Sequence, residues 1–344
     1  MRIFLLAALL APGLSWPALA DVTGQADGFP IWLENYKAGA IGRGLKAEWL
    51  AATLESVQFS ARTVELDRNQ PDDSGKRNMF TDYLARQLTQ QRIDDGRARG
   101  AQEAATLQRI AAETGVPAEI IVAIWGMETS YGRVMGGFDL PSAVASLAYD
   151  GRREALFTRE LDALVRMVGE GRASRSQLTG SWAGAFGQPQ FLPSSYLAYA
   201  RDGDGDGRAD IWASRADSFA SIGNYLAQHG WQAGTPWGFR ALVPAGFDRA
   251  GVANPVKPTQ CIGPLERHSR WLPASQWQAM GFIPLNALWP VPATPMALVE
   301  PDGPGTGAFL ITPSYRAIMD YNCSNYYALS VALLADAVAP ALRP

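Results

Sequence analysis

Cysteine and histidine are scarce in this sequence, and their scarcity excludes several classes of enzyme. The chain contains two cysteines and two histidines, with neither an H-E-x-x-H motif nor a Cys/His cluster. A zinc hydrolase is therefore disfavoured, because such enzymes need several nitrogen or sulfur ligands at short spacing. A G-x-S-x-G motif is absent as well, which disfavours a serine hydrolase of the α/β type.

The sequence also lacks a net positive charge and, after residue 20, long apolar runs. The net charge of −3 becomes −4 if Arg2 is removed with a leader (−3 − 1 = −4), which argues against nucleic acid as a partner. Residues 1–20 hold an apolar stretch from Ile3 to Leu10 and then Ala18-Leu19-Ala20. This pattern predicts a secretory signal peptide. No later run is long enough for a transmembrane helix, and no cysteine stands at the predicted cleavage point. We therefore expect an exported, soluble protein with no membrane anchor.

The two cysteines, Cys261 and Cys323, are candidates for a disulfide. Exported proteins with an even number of cysteines usually pair them, so export predicts a bridge between these two residues. The alternative is a pair of buried thiols. A bridge here would join a proline-rich segment to the start of the last predicted helix.

Residue periodicity divides the chain into a helical part and a proline-rich part. With 344 residues and 47% apolar content, the chain can bury a large core and form more than one lobe. The residues 236–313 hold thirteen of the twenty-three prolines, which predicts short strands and turns. Residues 72–76 are predicted to form a loop. Helices are predicted over residues 28–61, 79–114, 141–149, 152–170, 193–200, 218–229 and 326–339.

One predicted helix carries the strongest candidate for chemistry, Glu128. The helix is expected to begin at Pro117 and is apolar on nearly every side as far as Met127, so it should be buried. Glu128 lies on the same face as Ile121 and Ile124, and a carboxyl on an apolar stripe favours its protonated form. A protonated carboxyl near neutral pH can serve as the general acid of glycoside chemistry. The alternative is a glutamate that leaves the core because the helix ends.

An Asp-rich segment, DGDGDGRADIWASRAD, covers residues 202–217. Aspartate at positions 1, 3 and 5 with glycine at position 6 is the opening of an EF-hand calcium loop. Position 12, which is usually a glutamate, is Ala213, so the loop is a variant that Asp217 could close. The candidate ligands are Asp202, Asp204, Asp206, the carbonyl of Arg208, and Asp217. A structural Ca²⁺ is predicted, with an Asp/Gly turn that binds no metal as the alternative.

Two further segments combine glycine, polar and aromatic residues. In GSWAGAFGQPQFLPSSY, residues 180–196, the glycines let backbone approach closely, and Ser181 and Gln190 offer neutral hydrogen bonds. The same segment could be a tight packing corner beneath the Glu128 helix. The second segment, YNCSNYY at residues 321–327, is a polar aromatic cluster or an ordinary helix N-cap.

These motifs together resemble the lytic murein transglycosylase B family of peptidoglycan enzymes. WGMETSYG, GSWAGAFGQPQFLPSSY, the Asp-rich loop, NYLAQHGW and YNCSNYYALSV follow one another in the family's order, from about Leu107 to the end of the chain. The resemblance implies an α+β, mainly α, fold with a lysozyme-like helical core, an EF-hand-like calcium loop and a smaller Pro-rich β-containing lobe. The expected segments are a signal peptide (1–20), an N-terminal helical region (21–106), the catalytic core with the calcium loop (107–235), and a β-containing segment with a closing helix (236–344) that belongs to the same catalytic unit.

The resemblance also implies roles for individual residues. Glu128 matches the single catalytic acid/base, and Ser181 and Gln190 match residues near the N-acetyl group and the sugar. Gln188 departs from the pattern, because some members have an aromatic residue there. The aromatic residues expected to line the cleft are Tyr225, Tyr321 and Tyr327, and the expected calcium ligands are Asp202, Asp204, Asp206, Arg208 and Asp217.

The implied activity is non-hydrolytic cleavage of the β-1,4 bond between N-acetylmuramic acid and N-acetylglucosamine. A hydrolase of the usual kind needs two carboxylates. No convincing second one is found, because Asp139 lies in a Gly-rich turn and Glu160 is predicted on a charged surface helix. With Glu128 as the only acid, the substrate's N-acetyl group could attack C1 and the C6 hydroxyl could then close onto it. We expect 1,6-anhydromuramoyl ends, peptidoglycan glycan strands as the partner, a periplasmic monomer, and no organic cofactor. Two alternatives are a lysozyme-type muramidase and a non-catalytic, calcium-dependent wall-binding protein.

Overall fold

The computed structural model describes residues 23–70 and 79–342, which form two compact units. Residues 79–127 and 222–342 make up one unit, called the sheet unit here. Residues 23–70 and 128–221 make up the other, called the helical unit. The predicted signal peptide and the loop predicted at 72–76 lie outside the described residues.

Helices account for most of both units, which confirms the mainly α prediction. The helices are α1 (Phe29–Gly42), α2 (Ala47–Leu54), α3 (Ala61–Arg68), α4 (Phe80–Gln87), α5 (Gln90–Gln102), α6 (Ala104–Thr114), α7 (Ala118–Thr129), α8 (Leu140–Asp150), α9 (Glu154–Gly169), α10 (Pro193–Tyr199), α11 (Arg215–Gln228), α12 (Ile262–Leu265), α13 (Ala274–Ala279), α14 (Pro313–Tyr321) and α15 (Asn325–Val338). Short 3-10 helices cover Thr23–Gly28, Arg175–Gln177, Ala250–Val252 and Ala339–Ala341. The chain passes from one unit to the other within α7 and α11.

The strands form two antiparallel sheets. They are β1 (Phe138–Asp139), β2 (Thr179–Gly180), β3 (Gly238–Leu242), β4 (Leu272–Pro273), β5 (Ile283–Pro284), β6 (Pro295–Val299) and β7 (Ala308–Ile311). In the helical unit β1 pairs with β2, and single bridges extend this ribbon through Phe186 to Phe191. In the sheet unit the strand order is β4-β6-β7-β3-β5.

The helical unit is built around α9, which packs against α2, α8 and α10. The buried face of α9 includes Phe157, Leu161 and Leu164, a spacing that places apolar side chains on one side of a helix. The span 28–61, which was predicted to be helical, contains two helices, α1 and α2. It breaks after Gly42, where Gly44 takes φ +93°, a conformation that an ordinary helix does not contain.

The sheet unit buries its strands against aromatic residues, with Trp277, Phe282 and Leu310 at the centre of the cluster. Among the helices of the same sheet unit, α15 packs against α4, α5 and α14. A disulfide joins Cys261 to Cys323, whose Cα atoms are 5.6 Å apart. The prediction of strands and turns over 236–313 is confirmed for β3 to β7, but it missed the short helices α12 and α13.

No single helix of the described residues is both long enough and apolar enough to cross a membrane. The pair Ala104–Thr114 and Ala118–Thr129 meets the length and composition criteria only when both helices are counted together, and it bends by 111° at the break.

Candidate active site

Glu128 is the penultimate residue of α7, whose apolar pattern predicted a buried helix. From Ile120 to Trp125 every side chain of this helix is at most 2% exposed, which confirms a buried helix. Glu128 itself is half-buried. The carbonyl of Pro117 accepts the first bonds of the helix, from the N–H groups of Ile120 and Ile121, so proline stands immediately before the first turn. The carboxyl is therefore held at the end of a rigid, buried element.

The backbone immediately after Glu128 is strained. Ser130, Tyr131 and Gly132 are three consecutive residues in the left-handed region, with φ of +49°, +64° and +79°. For the two residues that are not glycine this conformation is costly, and such strain concentrates at functional sites. The Thr129 side chain holds the turn, because its Oγ1 donates to the carbonyl of Gln188 at 3.1 Å and accepts the Gly132 N–H at 3.0 Å. This role of Thr129 was not predicted, although the residue directly follows Glu128 in the WGMETSYG motif.

The segment that contains Ser181 is a tight corner of backbone. The Ser181 Oγ accepts the N–H of Ala185 at 3.0 Å, and the Ser181 N–H donates to the Ala185 carbonyl at 2.7 Å. A Cβ added to Gly136, in the loop that follows Glu128, would overlap the peptide between Gly180 and Ser181. These contacts fit a packing corner, the alternative interpretation of this segment, and the corner lies against the loop that contains Gly136. The Ser181 hydroxyl is only half-buried and can still donate its own proton.

Gln190 occupies a second strained position of the same corner. Its φ is +52°, and its side-chain amide donates to the carbonyls of Gly187 at 2.9 Å and Met135 at 3.3 Å. Both bonds use the Nε2 group, which leaves the Oε1 atom of this half-buried side chain as an acceptor. Gln188 differs, because it is 5% exposed and donates to the carbonyl of Trp212 at 3.2 Å. Gln188 is thus part of the internal packing.

The two carboxylates weighed as a second catalytic acid are both held by structural contacts. Asp139 caps α8 by accepting the Ser142 N–H at 3.1 Å, and its other oxygen lies 2.6 Å from the Arg175 guanidinium. Burial alone would raise the pKa of Asp139, but the hydrogen bonds from Arg175 and Ser142 hold it below its usual range. Asp139 is therefore an ionised cap.

Glu160 requires a correction, because it does not lie on a surface. It is 3% exposed and accepts two bonds from Ser194 at the start of α10, from the N–H at 2.9 Å and from the hydroxyl at 2.8 Å. Burial raises the pKa of Glu160. The charged residues around it in sequence suggested a solvated helix, but α10 covers this face of α9.

The Asp-rich loop brings three carboxylates together. Oxygen atoms of Asp202, Asp204 and Asp217 all lie within 4.8 Å of one another. Asp206 is outside this group, and its Oδ1 accepts the N–H of Arg208 at 2.8 Å. The turn depends on Gly205 and Gly207, at φ +84° and +89°. An all-oxygen set on a flexible turn fits Ca²⁺, which accepts carboxylate and carbonyl ligands in variable geometry.

The environment of Asp217 favours a cation. Its side chain is completely buried and accepts the N–H groups of Gly203 at 2.8 Å and Asp210 at 2.6 Å. Burial raises the pKa of Asp217, and the neighbouring charge of Asp204 raises it further. A divalent cation would offset both effects. In the exposed part of the loop, the N–H groups of Gly207 and Gly205 hold the pKa of Asp202 low.

The three tyrosines of the prediction lie in the sheet unit. Tyr225 is 8% exposed, donates to the carbonyl of Asp320 at 2.7 Å, and contacts the Tyr321 ring edge-to-face at 4.8 Å between centroids. Tyr327 is 5% exposed at the start of α15, where its N–H donates to Ser324 Oγ at 3.3 Å. The YNCSNYY segment is therefore a capped helix start, as its alternative interpretation stated.

Comparison with known proteins extends over most of the chain. Residues 28–336 match the family described as the transglycosylase SLT domain. The membrane-bound lytic murein transglycosylase B of Escherichia coli strain K12 is 33% identical over 267 residues, covering 77% of this chain and 69% of that protein. SltB3 of Pseudomonas aeruginosa, solved in complex with NAG-anhNAM-pentapeptide, has a TM-score of 0.81 and 37% identity, over 92% of this chain and 80% of its own. The Escherichia coli lytic transglycosylase Slt35, solved in complex with calcium, has a TM-score of 0.72 and 29% identity, over 90% and 93% respectively.

Proposed function

Because the chain belongs to the transglycosylase SLT family and is a lytic transglycosylase of peptidoglycan, we propose that Glu128 is its single acid/base. The observation that carries this proposal is the position of the carboxyl. It is half-buried at the end of a buried helix, and strained backbone follows it directly. Asp139 and Glu160, the other candidates, make structural contacts: Asp139 caps α8 and pairs with Arg175, and Glu160 accepts bonds from Ser194 beneath α10.

The proposed reaction uses Glu128 twice. In the first step protonated Glu128 gives its proton to the glycosidic oxygen as the bond from C1 of N-acetylmuramic acid to that oxygen breaks, and the N-acetyl oxygen of the same sugar bonds to C1. In the second step the Glu128 carboxylate takes the proton of the C6 hydroxyl, whose oxygen bonds to C1 and displaces the N-acetyl oxygen. Glu128 thus regains the proton that it gave in the first step, and water is not consumed. The product is a 1,6-anhydromuramoyl end.

We place Ser181 and Gln190 beside the N-acetyl group. An N-acetyl group offers one carbonyl acceptor and one N–H donor. The Ser181 hydroxyl can donate and the Gln190 Oε1 can accept, so the two side chains supply the complementary pair. Tyr225, Tyr321 and Tyr327 are proposed as aromatic residues against the sugar rings.

The end groups of the product test the mechanism. Purified peptidoglycan digested in ¹⁸O-labelled water should yield 1,6-anhydromuramoyl ends without ¹⁸O, as read by mass spectrometry of the fragments. Reducing ends that carry ¹⁸O would instead establish the lysozyme-type hydrolysis that the alternative describes.

We further propose that Asp202, Asp204 and Asp217, with Asp206 and the Arg208 carbonyl as further ligands, hold a structural Ca²⁺. When bound, the ion neutralises a concentrated negative charge and fixes the loop that leads into α11. Support comes from the grouping of the three carboxylates and from the calcium complex of the relative Slt35.

The site of action follows from the substrate. Peptidoglycan lies outside the cytoplasm, so we propose export by the predicted signal peptide and action as a soluble periplasmic monomer. Fractionation of cells that produce the full chain, with N-terminal sequencing of the product, tests this proposal. Cleavage after Ala20 and recovery in the periplasmic fraction are expected.

A further inference from the structure

A pocket in the sheet unit is lined by none of the candidate site residues above. It is an open, shallow pocket of about 460 Å³ between the end of β3 and the loop, residues 300–307, that joins β6 to β7. Pockets of a few hundred Å³ that combine an apolar wall with a few polar groups are typical of ligand sites. Here the apolar wall includes Leu242, Val243 and Phe247, and the polar end is formed by Arg249 and Glu300.

Arg249 presents one edge of its guanidinium to Glu300, and not all of its N–H groups are used in that pair. Its Nε donates to Glu300 Oε2 at 2.6 Å and its NH2 group to Oε1 at 2.8 Å, a bidentate pair. Its NH1 group has one 3.4 Å contact with the carbonyl of Phe247. These three bonds use three of the five N–H groups of an arginine. One N–H of NH1 and one N–H of NH2 are therefore left, and both can donate to an anionic ligand such as a carboxylate.

Three glycines also line the pocket. Gly246, Gly305 and Gly307 take φ of +72°, +82° and +114°, and a Cβ added to any of them would meet no atom within 4 Å. Side chains are therefore absent where the pocket is open, and an extended chain with small side chains can approach closely.

The loop 300–307 is fixed before any ligand arrives. Asp302 accepts the N–H of Phe80 at 2.8 Å and the hydroxyl of Tyr326, and Glu300 accepts the N–H of Gly305 at 3.3 Å in addition to Arg249. A site that needs no ordering on binding avoids an entropic cost. The pocket thus has a rigid rim, N–H donors for a carboxylate and an apolar wall.

We propose that this pocket is a non-catalytic binding site for the stem peptide of peptidoglycan. The terminal carboxylate of the peptide pairs with the remaining N–H groups of Arg249 NH1 and NH2, and its alanine methyl groups pack on Leu242 and Phe247. The inference rests on the proposed function, because that function supplies peptidoglycan as the substrate. The pocket gives the enzyme a contact with its polymer that does not involve Glu128.

Binding of the free stem, without sugar, tests the proposal. The probe is a pentapeptide stem labelled at its N-terminus, titrated with the full exported chain and followed by fluorescence anisotropy. The acid form should bind about tenfold or more tightly than the C-terminal amide, because the amide loses the charge-assisted pair. Arg249→Lys keeps a positive charge beside Glu300 but loses the planar fork, so it should weaken binding of the acid by about tenfold and leave the amide unchanged. The matched control, Arg270→Lys, changes another exposed arginine of the sheet unit and should bind as the wild type does.

A second variant decides the outcome if Arg249→Lys fails to fold. Leu242 is 50% exposed, so Leu242→Glu adds a negative charge at the pocket without disturbing the core and should weaken binding of the acid. Val256→Glu, at a position 70% exposed and outside the pocket, is its control. Equal affinity for acid and amide, or wild-type affinity in folded Arg249→Lys or Leu242→Glu, would overturn the proposal. Displacement of the peptide by acetate at the same concentration would show recognition of a carboxylate alone and would overturn the peptide assignment.

Failure of this inference and failure of the proposed function give different results. Stem binding requires no turnover, so Glu128→Gln should bind the stem normally. If the protein cleaves glycan strands normally but does not bind the stem peptide, the assignment of the pocket is refuted and the proposed function is not. Normal stem binding in a chain whose Glu128→Gln variant still cleaves strands refutes the acid/base assignment alone.

Discussion

Removal of the proposed calcium ion should destabilise the helical unit without changing Glu128, the proposed acid/base. Asp202, Asp204 and Asp217 place oxygen atoms within 4.8 Å of one another, and Asp217 is completely buried. Without a cation these charges repel one another and the buried carboxyl has a raised pKa, whereas a bound divalent ion offsets both effects. Because the proposed ion would bind the folded loop and not the unfolded chain, stability should rise with calcium concentration by mass action.

The size of the effect follows from the ratio of calcium to its dissociation constant. At a hundredfold excess over Kd the free energy of unfolding rises by about 2.7 kcal/mol. For a cooperative unit of about 150–250 residues this corresponds to a Tm increase of roughly 5–10 °C. Thermal melts followed by circular dichroism in chelator, in millimolar calcium and in equal magnesium measure the increase. Magnesium should give a smaller shift, because it demands stricter octahedral geometry.

Single substitutions test which aspartates bind the ion. Asp204→Ala and Asp217→Asn should each remove the calcium-dependent shift, whereas Asp206→Ala should retain the larger part of it, because Asp206 lies outside the carboxylate group. Asp82→Ala changes an exposed aspartate elsewhere and serves as the control. Each folded variant should keep substantial activity at low temperature. An identical Tm in chelator and in calcium for the wild-type protein would refute the reasoning, and complete loss of activity in a folded variant would place the ion in the reaction.

Three further predictions concern the disulfide and two buried titratable side chains. Thiol titration of the denatured, unreduced protein should find no free thiol, and reduction of the bond between Cys261 and Cys323, which are 62 residues apart, should lower the free energy of unfolding by roughly 4 kcal/mol in urea titrations; two free thiols would contradict the bridge. Burial raises the pKa of Glu160 in the folded protein, so its contribution to stability is present below the unfolded pKa and is lost as pH rises through the folded pKa. Glu160→Gln, which keeps an acceptor for Ser194, should flatten the dependence of the free energy of unfolding on pH. An unchanged slope of that free energy against pH in the variant would contradict this prediction. Burial lowers the pKa of His268 to about 4, so the free energy of unfolding should fall by about 3 kcal/mol as pH drops from 6.5 to 4. Urea unfolding midpoints measured across this pH range test the prediction. It would be contradicted if the wild-type protein lost no more stability over this range than His268→Gln does.

Local patterns in the sequence predicted the elements whose structure depends on neighbouring residues. The apolar surroundings of Ile121 and Ile124 indicated a buried helix, and both side chains are fully buried. The alternating aspartates of the Asp-rich loop indicated a turn with clustered carboxylates, which Gly205 and Gly207 make possible through their left-handed backbone.

Features that depend on distant residues could not be predicted. The charged surroundings of Glu160 indicated a surface, but Ser194, thirty-four residues later, buries it beneath α10. Pro313 was counted with the strand and turn segment, although it begins α14, where its fixed φ and missing N–H suit the first turn. The left-handed backbone of Tyr131 and Gln190 likewise has no sequence signal, because contacts between Thr129 and the 186–191 turn impose it.

Turnover by Glu128→Gln is the most direct test of the account. The substitution keeps the shape of the side chain and removes the transferable proton, which contributes about 10²–10⁴-fold to such reactions. We therefore predict loss of anhydromuramoyl products by at least that factor, with an unchanged circular dichroism spectrum and unchanged binding of glycan strands. Asp139→Asn and Glu160→Gln are the matched controls and should retain turnover when folded. Near-normal release of anhydromuramoyl fragments by a folded Glu128→Gln protein would contradict the assignment of Glu128 as the acid/base.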